Sequence, residues 1–243
     1  MRCSTSDQVS IEAADGVAVL TLSRPHRRNA MTIEMVAALT AALGDYASDP
    51  EVRCAVITGA PPAFCAGLDL EEFAPANAPR HLVAELIRSL PQVSKPLIAA
   101  VTGAAYTGGL ELALGCDFII AGQSARFADT HARIGAMSAS GLATRLSRAV
   151  GPRLAKQMML TGAPIDADHA LRAGLVNEVV ADDGLVDRAM EVARQIAQID
   201  TDLCTATKAM VDNGVAVSLD EALAGERQAF EHRRMNGRQA WQS

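Results

Sequence analysis

Residues 96–122, PLIAAVTGAAYTGGLELALGCDFIIAG, contain the pattern that decides the fold. The stretch is long and apolar enough to resemble a membrane-spanning helix. However, Glu111 and Asp117 would be costly inside lipid. The stretch also divides into a β-rich run, a glycine-containing turn, a short helix and a second β-rich run. It therefore predicts a buried part of a globular core that carries a carboxylate.

Outside this stretch, apolar β-rich runs alternate with helical segments. We predict strands at residues 17–22, 52–58, 97–101, 118–121 and 176–180. We predict helices at residues 32–46, 80–90, 109–115, 141–150, 153–160, 166–173, 185–198, 203–215 and 219 to about 239. The alternation indicates α/β layers with right-handed crossovers, followed by a mainly helical part. We place the α/β core at residues 1–195 and the helical C-terminal region at residues 196–243.

Composition excludes several classes of function. The formal net charge of -6 disfavours a general nucleic-acid-binding surface. The first ten residues, MRCSTSDQVS, contain no hydrophobic signal region, and the five cysteines form no CxxC pair, so we expect a reducing cytoplasmic location with no membrane anchor. The five histidines show no ligand spacing, and we expect no metal site.

Two glycine-bearing turns each follow a buried strand. AFCAGLD at residues 63–69 follows VRCAVIT, and GAAYTGGLE at residues 103–111 follows LIAAV. A turn that opens a helix after a strand leaves N–H groups pointing outward, where they can meet a negative oxygen. Two such turns on neighbouring strands could aim two donors at one point, as in an oxyanion hole. For either turn alone, ordinary strand–helix punctuation is the alternative.

Together the two turns resemble segments of the enoyl-CoA hydratase/isomerase (crotonase) family. AFCAGLDLEEF resembles the family's A-G-x-D segment, and GAAYTGGLELALGCD resembles its G-x-x-x-G-G-x-E-x-x-x-x-C-D segment. The resemblance continues through RPHRRNAM, ARFADTHARIG and AVGPRLAKQMMLTGAPIDADHALRAGLVNEVV, up to about residue 215. It implies an α/β fold with a crotonase-like spiral of ββα units and a helical C-terminal trimerisation region, often in a dimer of trimers.

The resemblance also implies roles for individual residues in acyl-CoA chemistry. The backbone N–H groups of Leu68 and Gly108 would hold the thioester carbonyl oxygen, and Glu111 would act as acid or base. Coenzyme A would arrive as part of the substrate, and no separate cofactor is expected. Coenzyme A would lie along the segment that contains Ala66, Gly67, Asp69 and Leu70, and its phosphates would meet the basic run with Arg27 and Arg28. A solvated surface is the alternative explanation of the two arginines.

The chain departs from the family pattern at three places. The second catalytic Glu of the hydratases corresponds to His131, which can donate or accept a proton near neutrality or can be a structural or substrate-lining residue. Asp129 is the poorer candidate, because a two-residue step leaves its direction uncertain. The loop Met137–Ser140 replaces a Pro- and Gly-rich segment that shapes the acyl pocket. The end of the chain, EHRRMNGRQAWQS, stops short of a family helix that helps cover CoA.

We predict hydration of a 2-enoyl-CoA, with Glu111 activating water and His131 handling the α-proton. Double-bond isomerisation is an alternative, because a single base can perform it. A non-catalytic acyl-CoA-binding relative is another alternative, favoured by the missing second Glu. A serine hydrolase using Ser138 or Ser140 with His131 is the last, but the sequence contains no GxSxG nucleophile elbow.

Overall fold

The computed structural model describes residues 6–235. The strands in this range are β1 (Val9–Ala14), β2 (Val17–Leu22), β3 (Cys54–Gly59), β4 (Leu97–Val101), β5 (Ala104–Tyr106), β6 (Phe118–Gly122), β7 (Arg126–Ala128), β8 (Ile165–Asp166) and β9 (Glu178–Val180). The α-helices are α1 (Ile33–Ser48), α2 (Leu70–Phe73), α3 (Arg80–Ser89), α4 (Gly108–Gly115), α5 (Leu142–Thr161), α6 (Ala167–Arg172), α7 (Leu185–Ala197), α8 (Thr201–Gly214) and α9 (Leu219–Met235).

The larger sheet has the strand order β1-β2-β3-β4-β6-β9. Strand β1 is antiparallel to β2, and the remaining pairs are parallel. Strands β3 and β4 are buried along their whole length, as expected for parallel strands covered on both faces. Helices α1 and α3 cover one face, and α7 covers the other.

The smaller sheet has the order β5-β7-β8, and its strands alternate along the chain with strands of the larger sheet. Strand β4 is followed by β5 and then α4, and β6 is followed by β7 and, after a loop, α5. These are the repeated ββα units that the resemblance implies. Because α4 begins directly after β5, this arrangement brings the start of α4 to the junction between the two sheets.

The predicted elements agree with the structure where the sequence signal is strong. Strands β2 and β4 have the predicted bounds, and the predicted cap Thr32 accepts a hydrogen bond from the N–H of Met35. The two helices predicted at residues 141–150 and 153–160 form one segment, α5, with a non-helical break at Gly151. The sequence reasoning missed β1, α2, β5, β7 and β8.

The described chain divides into two compact units, of which the first extends to Gln198 and the second begins at Ile199. The second unit contains α8 and α9, and none of its described residues is buried. Its large exposed apolar side chains include Val211, Val215, Leu219, Leu223 and Phe230. The predicted helix at residues 219–239 is described only to Met235, and the final segment with its predicted shortening lies partly outside the described residues.

Candidate active site

The two predicted glycine turns lie against each other, backbone to backbone. The N–H of Cys65 donates to the carbonyl of Ala104 at 2.9 Å, and the N–H of Tyr106 donates to the carbonyl of Cys65 at 3.0 Å. A Cβ on Gly109 would lie 2.0 Å from that same Cys65 oxygen. No side chain therefore fits at position 109, and the glycine is required by the close approach of the turns.

Leu68 and Gly108 lie side by side at this contact. A Cβ on Gly108 would lie 3.4 Å from Cδ2 of Leu68. The N–H of Asp69 donates to the carbonyl of Met31 at 2.9 Å, and the N–H of Met31 donates to the carbonyl of Gly67 at 2.8 Å. Because neighbouring amides of an extended segment point in opposite directions, the Leu68 N–H points away from Met31. Within residues 6–235, neither Leu68 N–H nor Gly108 N–H donates to a protein acceptor.

Thr107, which precedes Gly108, has a backbone conformation that residues other than glycine rarely adopt. Its φ is 54° and its ψ is -107°. Its hydroxyl lies 2.6 Å from the Thr130 hydroxyl and accepts the Thr130 N–H at 3.1 Å, and its own N–H donates to the Ala128 carbonyl at 2.8 Å. Such a conformation costs roughly 1–3 kcal/mol and persists only where surrounding contacts impose it. These contacts fix the direction of the next amide, that of Gly108.

Glu111 lies one turn into α4 and is only 4% exposed. Its Oε1 accepts a short hydrogen bond from the hydroxyl of Ser138. The Ser138 oxygen in turn accepts N–H groups from Ser140 at 3.2 Å and from Leu142 at 3.4 Å, at the start of α5. A hydroxyl that donates to an ionised carboxylate forms a strong hydrogen bond, and the two N–H groups on the Ser138 oxygen hold that hydroxyl in place. The loop before α5 therefore holds one oxygen of Glu111 in place.

His131 begins a short 3-10 helix, His131–Ile134, and contacts Asp129 in two ways. The Nδ1 atom of its ring lies 2.7 Å from Oδ1 of Asp129, and its backbone N–H donates to the same oxygen at 3.0 Å. Burial lowers the pKa of His131, but the hydrogen bond and the charge of Asp129, together with the charge of Glu111, outweigh burial and raise it. The charge of Glu111 thus acts on His131, and the role of His131 as an acid stays a prediction.

The thiol of Cys65 is placed at the contact between the turns but is not reactive there. Its Sγ lies 3.5 Å from the carbonyl oxygen of Gly67. Burial raises the pKa of this thiol to about 12, so it is protonated at neutral pH. Cys65 is therefore a small core residue of the turn, and the candidate chemistry rests on Glu111 and His131.

The family model for enoyl-CoA hydratase/isomerase matches residues 12–240. The chain belongs to this family. A 2,3-dehydroadipyl-CoA hydratase of Escherichia coli (strain K12) is 38% identical over 221 residues, which cover 88% of this chain and 85% of that protein.

Solved structures agree with the assignment. An enoyl-CoA hydratase from Mycobacterium tuberculosis H37Rv is 41% identical with a TM-score of 0.79, over 94% of this chain and 100% of that one. An enoyl-CoA hydratase from Bacillus anthracis is 33% identical with a TM-score of 0.88, over 92% of this chain and 90% of that one. The predicted crotonase-like α/β fold is confirmed.

The residues that the family resemblance assigns to CoA lie around Gly67. Asp69 is buried, its carboxylate accepts the Glu71 N–H at 2.9 Å as the cap of α2, and it contacts Arg24 at 2.6 Å. Burial acts to raise the pKa of Asp69, but the hydrogen bond and charge of Arg24 outweigh it and lower the pKa. The carboxylate of Asp69 is thus occupied within the protein, and contact of its segment with CoA through the backbone stays a prediction.

Other predicted CoA contacts are on the surface. Leu70 is 57% exposed, and the exposed Arg27 guanidinium contacts Glu71 at 2.9 Å. Arg28 is exposed, with a φ of 50°. The ion pair of Arg27 with Glu71 agrees with the solvated surface that the sequence left open, and the phosphate role of both arginines stays a prediction.

The sequence reasoning missed several contacts of the site, among them those of Ser138 with Glu111, Thr107 with Thr130 and buried Asp129 with His131. Ser138 was weighed as a partner of His131, but among residues 6–235 its side chain donates to Glu111. Arg145 was also missed; burial lowers its pKa, while the charge of Glu111 opposes that change. The spacing of the glycines predicts the turns, but no local sequence pattern predicts the side-chain contacts that a loop makes.

None of the helices between residues 6 and 235 is long and apolar enough to cross a membrane. In the same range, no group of three His, Cys, Asp or Glu side chains is arranged to hold a metal ion.

Proposed function

We propose that the chain is an enoyl-CoA hydratase that adds water across the double bond of a 2-enoyl-CoA thioester. The observation that carries the proposal is a buried carboxylate, Glu111, which lies one helical turn after Gly108, where Gly108 and Leu68 lie side by side. Coenzyme A enters and leaves as part of the substrate, with no separate cofactor. The hydratase relative from Escherichia coli supports this choice of reaction.

The two backbone donors act on the thioester carbonyl in this proposal. They hold the carbonyl oxygen, and the hydrogen bonds of both N–H groups stabilise the negative charge that develops there during the reaction. Polarisation of the carbonyl makes the β-carbon electrophilic. The backbone of residues 66–70 guides the CoA chain to this point.

Glu111 and His131 then divide the proton transfers between them. Glu111 takes a proton from water as the water oxygen bonds to the β-carbon, and the electron pair of the double bond moves to the enolate. The α-carbon takes a proton from His131, which restores the carbonyl. The proton on Glu111 passes through solvent to His131, so both groups return to their starting states and the net change is addition of one water.

The test is to incubate the protein with 2-enoyl-CoA thioesters of increasing chain length. We expect loss of the conjugated enoyl absorbance together with formation of 3-hydroxyacyl-CoA. Reaction of 3-enoyl substrates alone would replace the proposal with an isomerase that uses Glu111 as its single base. Binding without turnover of either substrate would identify a non-catalytic relative.

Ser138→Ala removes the hydroxyl that holds Oε1 of Glu111. A hydrogen bond to a charged group contributes about 1.5–3 kcal/mol, so we expect kcat to fall roughly tenfold to a hundredfold, with a small change in KM. The matched control is Ser147→Ala on α5, because the exposed Ser147 hydroxyl donates to the Thr144 carbonyl of its own helix at 3.1 Å. An acyl adduct on Ser138 in mass spectra of the turning-over protein would support a serine hydrolase instead.

We propose that the exposed apolar side chains of α8 and α9 pack against other copies of the chain, in a homotrimer or a dimer of trimers. Contiguous exposed apolar surface is typical of protein interfaces. Size-exclusion chromatography with light scattering should give three or six times the chain mass of 25.5 kDa. A mass of one chain at micromolar concentration would contradict the assembly.

The proposed location of the protein is the cytoplasm.

A further inference from the structure

Asp129 is almost fully buried, with 1% of its surface exposed, and its described contacts are with His131. An ionised carboxylate only accepts hydrogen bonds, so the proton between the two side chains belongs to Nδ1 of the ring. The backbone N–H of His131 reaches the same oxygen, which fixes the carboxylate in relation to the ring. The remaining ring nitrogen, Nε2, is therefore the one available for chemistry.

Two other contacts tie the His131 segment to the rest of the site. Thr130 bonds Thr107, the residue before Gly108, and Ser138 at the far end of the loop bonds Glu111. The carbonyl of His131 also accepts the Ala136 N–H at 3.0 Å. The ring is thus held on a segment that is attached at one end to the Gly108 turn and at the other to Glu111.

We propose that Asp129 is a positioning residue that fixes the tautomer, orientation and charge of His131, so that Nε2–H is presented as the acid for the α-carbon. This inference rests on the proposed hydration and deepens it, because it explains how a histidine can stand in place of a second carboxylic acid. Asp129 itself does not touch the substrate. A buried carboxylate is suited to this task because it stabilises the imidazolium without exchanging contacts with water.

The charge of His131 should make the activity depend on pH. The charged groups that act on His131 are Asp129, on its own segment, and Glu111, on α4. Helix α5 contributes Arg145, whose charge acts on Glu111, while Arg133 turns its Nε to the Thr161 carbonyl. Both carboxylates raise the pKa of His131, so the acid form persists to a higher pH than for an ordinary histidine. Activity should be present below this pKa and lost as pH rises through it.

The experiment is Asp129→Asn, which keeps an acceptor for the ring but removes the negative charge. We expect kcat/KM to fall roughly tenfold to a hundredfold, less than the about 10²–10⁴-fold that a general acid itself contributes, because the His131 ring remains. We also expect the alkaline limb of the kcat/KM profile to move to lower pH, and the His131 ring signals in NMR to titrate at lower pH. The matched control is Asp166→Asn, because Asp166 accepts the N–H of His169 at 2.8 Å only as the cap of α6, where Asn is an equally good cap.

A double-mutant cycle separates positioning from general support of the fold. If Asp129 acts through His131, adding Asp129→Asn to a His131→Gln protein should cause almost no further loss of kcat/KM. Full additivity of the two changes would overturn the inference, as would an unchanged alkaline limb and an unchanged His131 titration. The NMR titration does not need turnover, so it tests the Asp129–His131 pair even if the protein hydrates no enoyl-CoA, whereas absence of turnover in the parent overturns the proposed function alone.

Discussion

Replacing Glu111 with Gln should lower kcat for hydration by about 10²–10⁴-fold, the usual contribution of a positioned general base. The amide cannot take a proton from water, yet its oxygen can still accept the Ser138 hydroxyl, so the fold and the binding of the thioester should be retained. The measurement is the initial rate of loss of enoyl absorbance, with thioester affinity determined separately by calorimetry.

A matched control for this change is Glu85→Gln on the exposed side of α3. It makes the same chemical change away from the site and should leave kcat within a factor of two or so, since an exposed charge contributes little. Hydration at the parental rate by the Glu111→Gln protein would remove Glu111 from the reaction and favour a binding protein or a different base.

Replacing Gly109 with Ala should be the most damaging change to the structure of the site. Its Cβ would lie 2.0 Å from the Cys65 carbonyl oxygen, which is a backbone atom and cannot rotate away. The two turns must move apart, so we expect a loss of roughly 1–3 kcal/mol or more in the free energy of unfolding. Loss of one oxyanion donor costs about 10²–10³-fold in kcat, and separation of the turns should cost at least that.

The comparison for this prediction is Gly44→Ala, in the exposed interior of α1. A Cβ at Gly44 meets no atom within 4 Å, so the change should stabilise the protein by about 0.5–1 kcal/mol, as expected when Ala replaces Gly in a helix. Chemical denaturation measures both variants. A parental unfolding midpoint for Gly109→Ala with parental kcat would show that the turns are not held in the contact described.

The sequence predicted the main sheet well because its buried strands carry a strong local signal. Strands β2 and β4 are continuous runs of apolar and β-branched residues, and their bounds were predicted to the residue. Strand β1 was missed because most of its residues are exposed, and β5 and β7 because three residues are too few to form a pattern. The short strands depend on pairing with each other, which the local sequence does not encode.

The site residues likewise differ in how strong a local sequence signal they carry. Leu68, Gly108 and Glu111 could be assigned because the two glycine turns after buried strands resemble segments of the family, and the roles that this resemblance implies stay predictions. The contacts of Ser138 and Asp129 could not be predicted. The first depends on how the segment between β7 and α5 folds over α4, and the second depends on the local backbone conformation. A two-residue spacing such as that of Asp129 and His131 says nothing about direction until the backbone is known.

The pair of amides at Leu68 and Gly108 has a consequence for how this protein can change over evolutionary time. Donors that belong to the main chain are not deleted when a codon changes, provided that Gly67 and Gly109 preserve the turns around them. The groups that move protons in the proposed reaction, Glu111 and His131, belong instead to side chains. His131 lies with Ser138 on a connecting segment that tolerates substitution more readily than a strand. New reactions on a thioester can therefore arise by drift in that segment while recognition of the carbonyl is inherited unchanged.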